Sequence, residues 1–224
     1  MRQWFGRIPQ LRDPARYQRI ASYRSRVWKA TGADLPAAAL VRDQPGQVFE
    51  YRFDWDEEPR ILWADLGELL GAAHALEIPF VFGHWDLGRM GEALFTRENE
   101  PGREALAEAM MSYWSAFADT GNPGRGRDAK QPEWQPWDAA GDSGGWLMLL
   151  DTPDGGGVRM ASQREDLRAL AAEIAADPDV GEDERCQELR NLVQATDGRI
   201  QLSDIRARTG VRCPSPLLAA GPEG

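Results

Sequence analysis

The sequence predicts an α/β chain with few strands set among several amphipathic helices, and a sheet left incomplete. Two observations carry that reading. Residues 48–53 (VFEYRF) alternate along the chain and place Phe49, Tyr51 and Phe53 on one face, the period-two signature of a strand. Residues 103–118 keep Leu106, Met110, Tyr113, Trp114 and Phe117 at helical spacing, and Gly121-Asn122-Pro123-Gly124 ends the run. Few such strands in 224 residues leave the sheet short of partners.

Taken in order, Asp13-Pro14 opens a first helix, because proline in the first turn forfeits no hydrogen bond. Tyr17, Ile20, Arg24, Val27 and Trp28 form its stripe, and Gly32 is expected to stop it. The strand at 48–53 leads into a charged loop, 54–60, broken by Pro59. Residues 62–75 show no clear period. Residues 78–82 (IPFVF) read as a short buried apolar run closed by Gly83. Beyond the long helix comes a polar loop rich in Gly and Pro, then a strand at 146–150 and a solvated turn, Asp151-Thr152-Pro153-Asp154-Gly155. Ser162 and Glu165 form a capping-box pattern ahead of Leu167, Leu170, Ala171 and Ile174. A further helix with Cys186, Leu189 and Val193 follows Gly181, and residues 213–224 read as a loose tail.

Composition narrows the partners. Twenty-six basic against 36 acidic residues give a net charge of −10, whereas a nucleic-acid binder needs a basic face to displace counterions. Nucleic acid and anionic membrane surfaces are therefore excluded as expected partners. No apolar run reaches the length of a membrane span, and residues 1–10 hold no apolar core of a signal peptide, so a cytoplasmic location is expected. The two cysteines, Cys186 and Cys213, are too few for a disulfide framework and are read as free thiols, with a mutual bond as the alternative.

Only two histidines are present, His74 and His84. Small residues before His74 and Pro79 after it favour a shaped loop, and a neutral imidazole on such a loop suits general-base catalysis. The segment from 48 to 83 resembles the C-terminal part of type-B carboxylesterases, the group that includes the cholinesterases. The matching features are VFEYRF, then G-A-A-H-A-L-E-I-P-F-V-F-G at 71–83. Leu94-Phe95-Thr96, residues 110–117 leading into Thr120-Gly121-Asn122-Pro123, and Pro132-Glu133-Trp134-Gln135-Pro136-Trp137 before a strand ending in Leu150-Asp151 extend the match. The resemblance implies the C-terminal portion of an α/β-hydrolase fold over residues 1–160, with His74 as the histidine of a catalytic triad and Glu77 supporting its loop. A helical extension at 161–212 is expected to pack on that part. In such folds the histidine is last of the triad in chain order and follows a late strand, as His74 follows 48–53.

The other triad members have no counterpart before His74. Residues 1–73 hold no G-x-S-x-G and no glycine-rich oxyanion stretch, and Ser22 and Ser25 lie within a helix pattern, flanked by Tyr23 and Arg24. The expected function is thus that of a carboxylic-ester hydrolase segment supplying the histidine. It would act on small carboxylic esters with an upstream segment that carries the nucleophile, need no cofactor or metal, and be inactive alone. The alternative is a non-enzymatic truncated paralogue serving as a binding or structural module. A third possibility is a protease using Ser143, since Gly141-Asp142-Ser143-Gly144-Gly145 spells GDSGG and Asp86 or Asp119 could serve as acid. The helices and the lack of disulfides oppose it, and Ser143 is read as a turn residue. His74, Glu77, His84 and Asp86 offer N and O donors for a metal, but Pro79 is expected to break any helix aligning the first pair.

Overall fold

The computed structural model describes residues 11–138 and 145–213. Two compact units divide the chain, Met1–Pro14 with Pro36–Gln163, and Ala15–Leu35 with Arg164–Gly224. Helix α1 (Pro14–Lys29) does not stop at Gly32: residues 30–34 form a π-helical turn and α2 (Leu35–Leu40) follows at once. Glycine in a helix costs only about 1 kcal/mol against alanine, which neighbouring contacts override.

In the first unit β1 (Glu50–Phe53) leads into a short antiparallel hairpin, β2 (Arg60–Ile61) and β3 (Ala64–Asp65), where the sequence shows no period. Helices α3 (Leu66–Leu70), α4 (Glu77–Phe82), α5 (Arg89–Leu94) and α6 (Glu100–Thr120) follow, before β4 (Leu147–Leu150) and β5 (Arg159–Ala161). β4 is central in the main sheet, parallel to β1 with Glu50 opposite Leu147 and Phe53 opposite Leu150, and antiparallel to β5. All four residues of β4 are buried, as expected of a strand covered on both faces.

The alternating aromatics of β1 do share a face. Phe49 meets Phe117 and Trp134, Tyr51 meets Trp114 and Trp134, and Phe53 meets Phe80, all edge-on. Edge-to-face pairs of this kind add about 0.5–1.5 kcal/mol each beyond simple burial. Helix α6 supplies Leu106, Met110 and Tyr113 to the same core and ends at Gly121, whose φ of 76° is the left-handed conformation that glycine adopts without strain. The apolar run at 78–82 is helical, not buried throughout. Pro79 and Phe80 face the core, while Ile78 and Phe82 stand 50% and 73% exposed. Pro79 lies in the first turn of α4, where its missing N–H has no partner to lose.

The turn after β4 is not solvated at its start, because Asp151 and Thr152 are buried at the strand end. Residues 139–144, Ser143 among them, and the tail 214–224 lie outside the described residues. No helix among those described is long and apolar enough to cross a membrane.

The second unit is helical, built from α1, α7 (Leu167–Ala176), α8 (Glu182–Ala195) and α9 (Leu202–Thr209). Tyr23, Leu170, Ile174, Leu189, Leu192 and Ile205 form its core. The inward face of α1 is therefore Ile20, Tyr23 and Val27, and Tyr17 and Trp28 of the expected stripe are exposed. Asp166, not Ser162, caps α7, accepting from the N–H groups of Arg168 and Ala169, and Glu165 pairs instead with Arg26. Cys186 and Cys213 are joined in a disulfide that ties α8 to the segment after α9, correcting the expectation of free thiols. Closing a loop of this separation, 27 residues, contributes on the order of 3 kcal/mol through the unfolded chain.

Arginines of α1 reach carboxylates on the later helices. Arg16 bonds Glu184 at 2.8 Å and Arg24 bonds Glu188 at 2.6 Å, but the Glu184 side chain is 24% exposed and that of Glu188 only 2%. Removing the partner of a buried carboxylate strands its charge, whereas an exposed pair contributes little. Arg24→Ala is expected to destabilise by about 3 kcal/mol and Arg16→Ala by less than about 1 kcal/mol in urea unfolding. Equal losses would show that burial of Glu188 does not govern the pair.

Candidate active site

The chain leaving β1 carries most of the candidate residues. Its first residues are fixed at the strand end, with the Asp54 N–H donating to the Leu150 carbonyl at 2.9 Å and Arg52 holding the Asp54 carboxylate. Thr152, fully buried at the end of β4, donates its hydroxyl to Glu57 and accepts from the Gly155 N–H. Buried Asn99 ties the same loop down, its amide donating to the carbonyls of Glu57 (3.0 Å) and Leu94 (2.8 Å) while its oxygen accepts from the Thr96 N–H. Sequence reading passed over Glu57, Asn99 and Thr152. Their sequence signals are weak: Glu57 lies in a charged loop, Asn99 precedes a helix and Thr152 follows a strand, positions that many solvated polar residues share.

Carboxylates are unusually dense here. Asp151 is raised above the ordinary range by burial, with the charges of Asp54 and Asp56 adding to the effect. Glu58 is 6% exposed and pushed up to about 7, again chiefly by burial and then by Asp56 and Asp65. Asp65 goes the other way, lowered first by the Glu68 N–H that its side chain caps at the start of α3.

His74 lies on the link from α3 to α4. Gly71 closes α3 at φ 54°, ψ −156°, a conformation essentially closed to other residues, and its N–H returns to the Gly67 carbonyl at 2.8 Å. Tight turns follow, with Ala73 N–H on the Gly71 carbonyl (2.6 Å) and Leu76 N–H on the Ala73 carbonyl (3.1 Å). Leu76 is buried in the core and Ala73 packs against it, while the side chain of His74 between them is exposed. Ala75, immediately after, holds φ at 73°, a left-handed conformation that costs a residue with a Cβ about 1 kcal/mol. The loop therefore pins both neighbours and presents the imidazole.

Glu77 is the first residue of α4 and half-buried; its charge reaches the Tyr51 phenol, which burial already holds above its usual range. The remaining candidates are occupied locally. Asp86 accepts from the Gly88 N–H in an exposed turn, His84 donates its backbone N–H to the Pro79 carbonyl, and Asp119 pairs with Arg127. Ser22 and Ser25 are exposed on α1. Helix α4 does contain Pro79, but it begins at Glu77, so no helix aligns His74 with Glu77. No group of three or more His, Cys, Asp or Glu side chains among the described residues is placed to hold a metal ion.

Comparison with known proteins identifies a family. The model of the carboxylesterase family matches residues 17–167. Para-nitrobenzyl esterase of Bacillus subtilis is 40% identical over 91 residues, covering 39% of this chain and 16% of that protein. Acetylcholinesterase of Gallus gallus is 32% identical over 114 residues (51% and 13%), and carboxylesterase 5A of Mus musculus 30% identical over 130 residues (58% and 21%). The chain thus spans about a fifth or less of the length of these relatives. No solved structure matches it.

The positive φ beside His74 gives a direct stability test. Ala75→Gly is expected to raise stability by about 0.5–1 kcal/mol, since glycine meets no Cβ clash in that conformation and so offsets its larger unfolded-state entropy. Gly71→Ala is expected to lower it by more than about 1 kcal/mol. Urea midpoints of both variants check the pair, and a destabilised Ala75→Gly would show that the loop is not strained there.

Proposed function

Since the chain belongs to the carboxylesterase family, we propose that it provides the histidine of a serine-hydrolase triad acting on small carboxylic esters, with His74 as general base and Glu77 supporting its loop. The observation that carries the reading is an exposed imidazole between two anchored neighbours, inside the family match. Such an imidazole accepts the proton of a serine hydroxyl as Oγ adds to the ester carbonyl. It then returns that proton to the alcohol oxygen as the acyl–oxygen bond breaks, and a water repeats the sequence to release the acid. The serine and the acid are assigned to a separate nucleophile-bearing esterase segment, because residues 1–73 contain no G-x-S-x-G. In this reading residues 1–160 are the C-terminal part of the hydrolase domain and 161–212 a helical extension.

A protease using Ser143 draws no support from the helices of either unit, since trypsin-like proteases are all-β double barrels; the family match also runs through that position.

Hydrolysis of p-nitrophenyl acetate separates these readings. The isolated chain is expected to match its His74→Ala variant, because a general base accelerates nothing without a positioned nucleophile. Co-expression with a segment carrying G-x-S-x-G and an acidic triad residue is expected to give esterase activity that falls about a thousandfold or more in His74→Ala. Activity in that complex indifferent to His74 would overturn the role assigned to it. Labelling of the chain alone by a fluorophosphonate, lost in Ser143→Ala, would revive the protease.

A further inference from the structure

The segment between β1 and His74 contains a buried charge-bearing group that ester hydrolysis does not use. Glu58 is 6% exposed, and neither carboxylate oxygen has a partner with hydrogen-bond geometry. The groups around it are the wrong sign to compensate. Asp56 on its own loop and Asp65 at the start of α3 both oppose its negative charge, and Arg60 on β2 is engaged with Asp65 at 3.0 Å. Glu57 is turned to Thr152. The backbone N–H of Glu58 favours the charged form but is outweighed.

This carboxyl sits in a closely fitted stretch. A Cβ on Gly67 of α3 would lie 2.5 Å from the Asp56 carbonyl oxygen, so loop and helix meet backbone to backbone. The Leu66 N–H donates to the Pro59 carbonyl at 3.3 Å, and the Gly71 N–H to that of Gly67 at 2.8 Å. A continuous path of contacts therefore runs from the loop around Glu58 through α3 to the turn that presents His74.

We propose that Glu58 is a buried proton switch: protonated, it keeps loop 54–59, the hairpin and α3 packed together, and on ionising it loosens the segment leading into His74. A neutral carboxylic acid is tolerated in that setting, while a carboxylate helped only by its own backbone N–H and set beside two other carboxylates must reach water or lose stability. The sign follows from linkage. Glu58 holds its proton to about pH 7 when folded, against a reference near 4.5 when exposed, so its contribution is fully present below about 4.5 and is lost as pH rises through about 7. The switch acts on the loop whether or not His74 is catalytic, so its failure and that of the esterase reading are distinguishable.

Amide hydrogen exchange of the full chain at pH 5.5 and 8.0, corrected for intrinsic rates, tests it. Protection of residues 60–76 is expected to drop about tenfold or more between the two pH values, with α8 unchanged, and the drop is expected to vanish in Glu58→Gln. Should Glu58→Gln fold poorly, Glu58→Met is the second variant, and the carboxyl-carbon NMR titration of Glu58 in the unmodified chain stands by itself. A midpoint in the ordinary glutamate range, no pH-dependent exchange in residues 60–76, or an undiminished pH effect in a folded variant would each overturn the proposal.

Discussion

Parallel pairing of β1 with β4 is the constraint from which the first unit follows. Parallel neighbours cannot be joined by a hairpin, so the chain after Phe53 must travel back to the start of β4 before Leu147 can lie opposite Glu50. The hairpin, α3, α4, α5 and α6 all belong to that crossover. Both strands also end on the same side of the sheet, which brings the loops after Phe53 and Leu150 together and lets Glu57 meet Thr152. Sites in open α/β sheets gather where such strand ends and loops converge. The segment carrying His74 departs from that place.

Within the crossover, local rules are broken repeatedly. Ala75 and Leu62 hold positive φ without being glycine, Glu58 is buried with no hydrogen-bond partner, and the buried Arg103 leaves Nε and Nη1 unpaired against the rings of Trp85 and Phe95. Burial lowers the pKa of that arginine, so ring contacts only partly replace water. The second unit satisfies its charges differently. Arg24 forks onto Glu188, Arg26 bridges Glu165 and Glu173, and Arg185 uses Nη2 to reach the carbonyls of Asp177 and Val180 even though its Nε has no partner. A disulfide then fastens its last described residue.

What the sequence revealed was what periodicity and end signals encode. The alternation at 48–53 found the aromatic face of β1, and i, i+4 spacing with a terminal glycine found α6. The resemblance to carboxylesterases was legible from the same stretches, and the family match covers them. Short apolar runs are ambiguous by nature, and 78–82 was read by composition as buried throughout when a one-sided helix also accommodates it. Tyr23 was missed because its inward face depends on α7 and α8, far along the chain. Asp166 and Ser162 are both good caps, and only the path of the chain decides between them. The disulfide and the Glu57–Thr152 bond are likewise long-range meetings with no local signature.

The placement of strain bears on the role proposed for His74. A base that moves a proton must hold its orientation through the reaction, and a loop with free rotamers would spend binding energy to become ordered each time. Here the ordering is paid in advance by folding: Leu76 and Phe80 bury their side chains on one side of the turn, Gly71 adopts a conformation open only to glycine, and Ala75 takes one that a residue with a Cβ avoids when free. Burial of a Phe or Leu contributes about 1.5–3 kcal/mol, enough to hold one left-handed alanine and the tight turn around it. Strain of that size persists only where surrounding contacts over-determine the backbone, and in this unit they do so on both sides of an exposed imidazole.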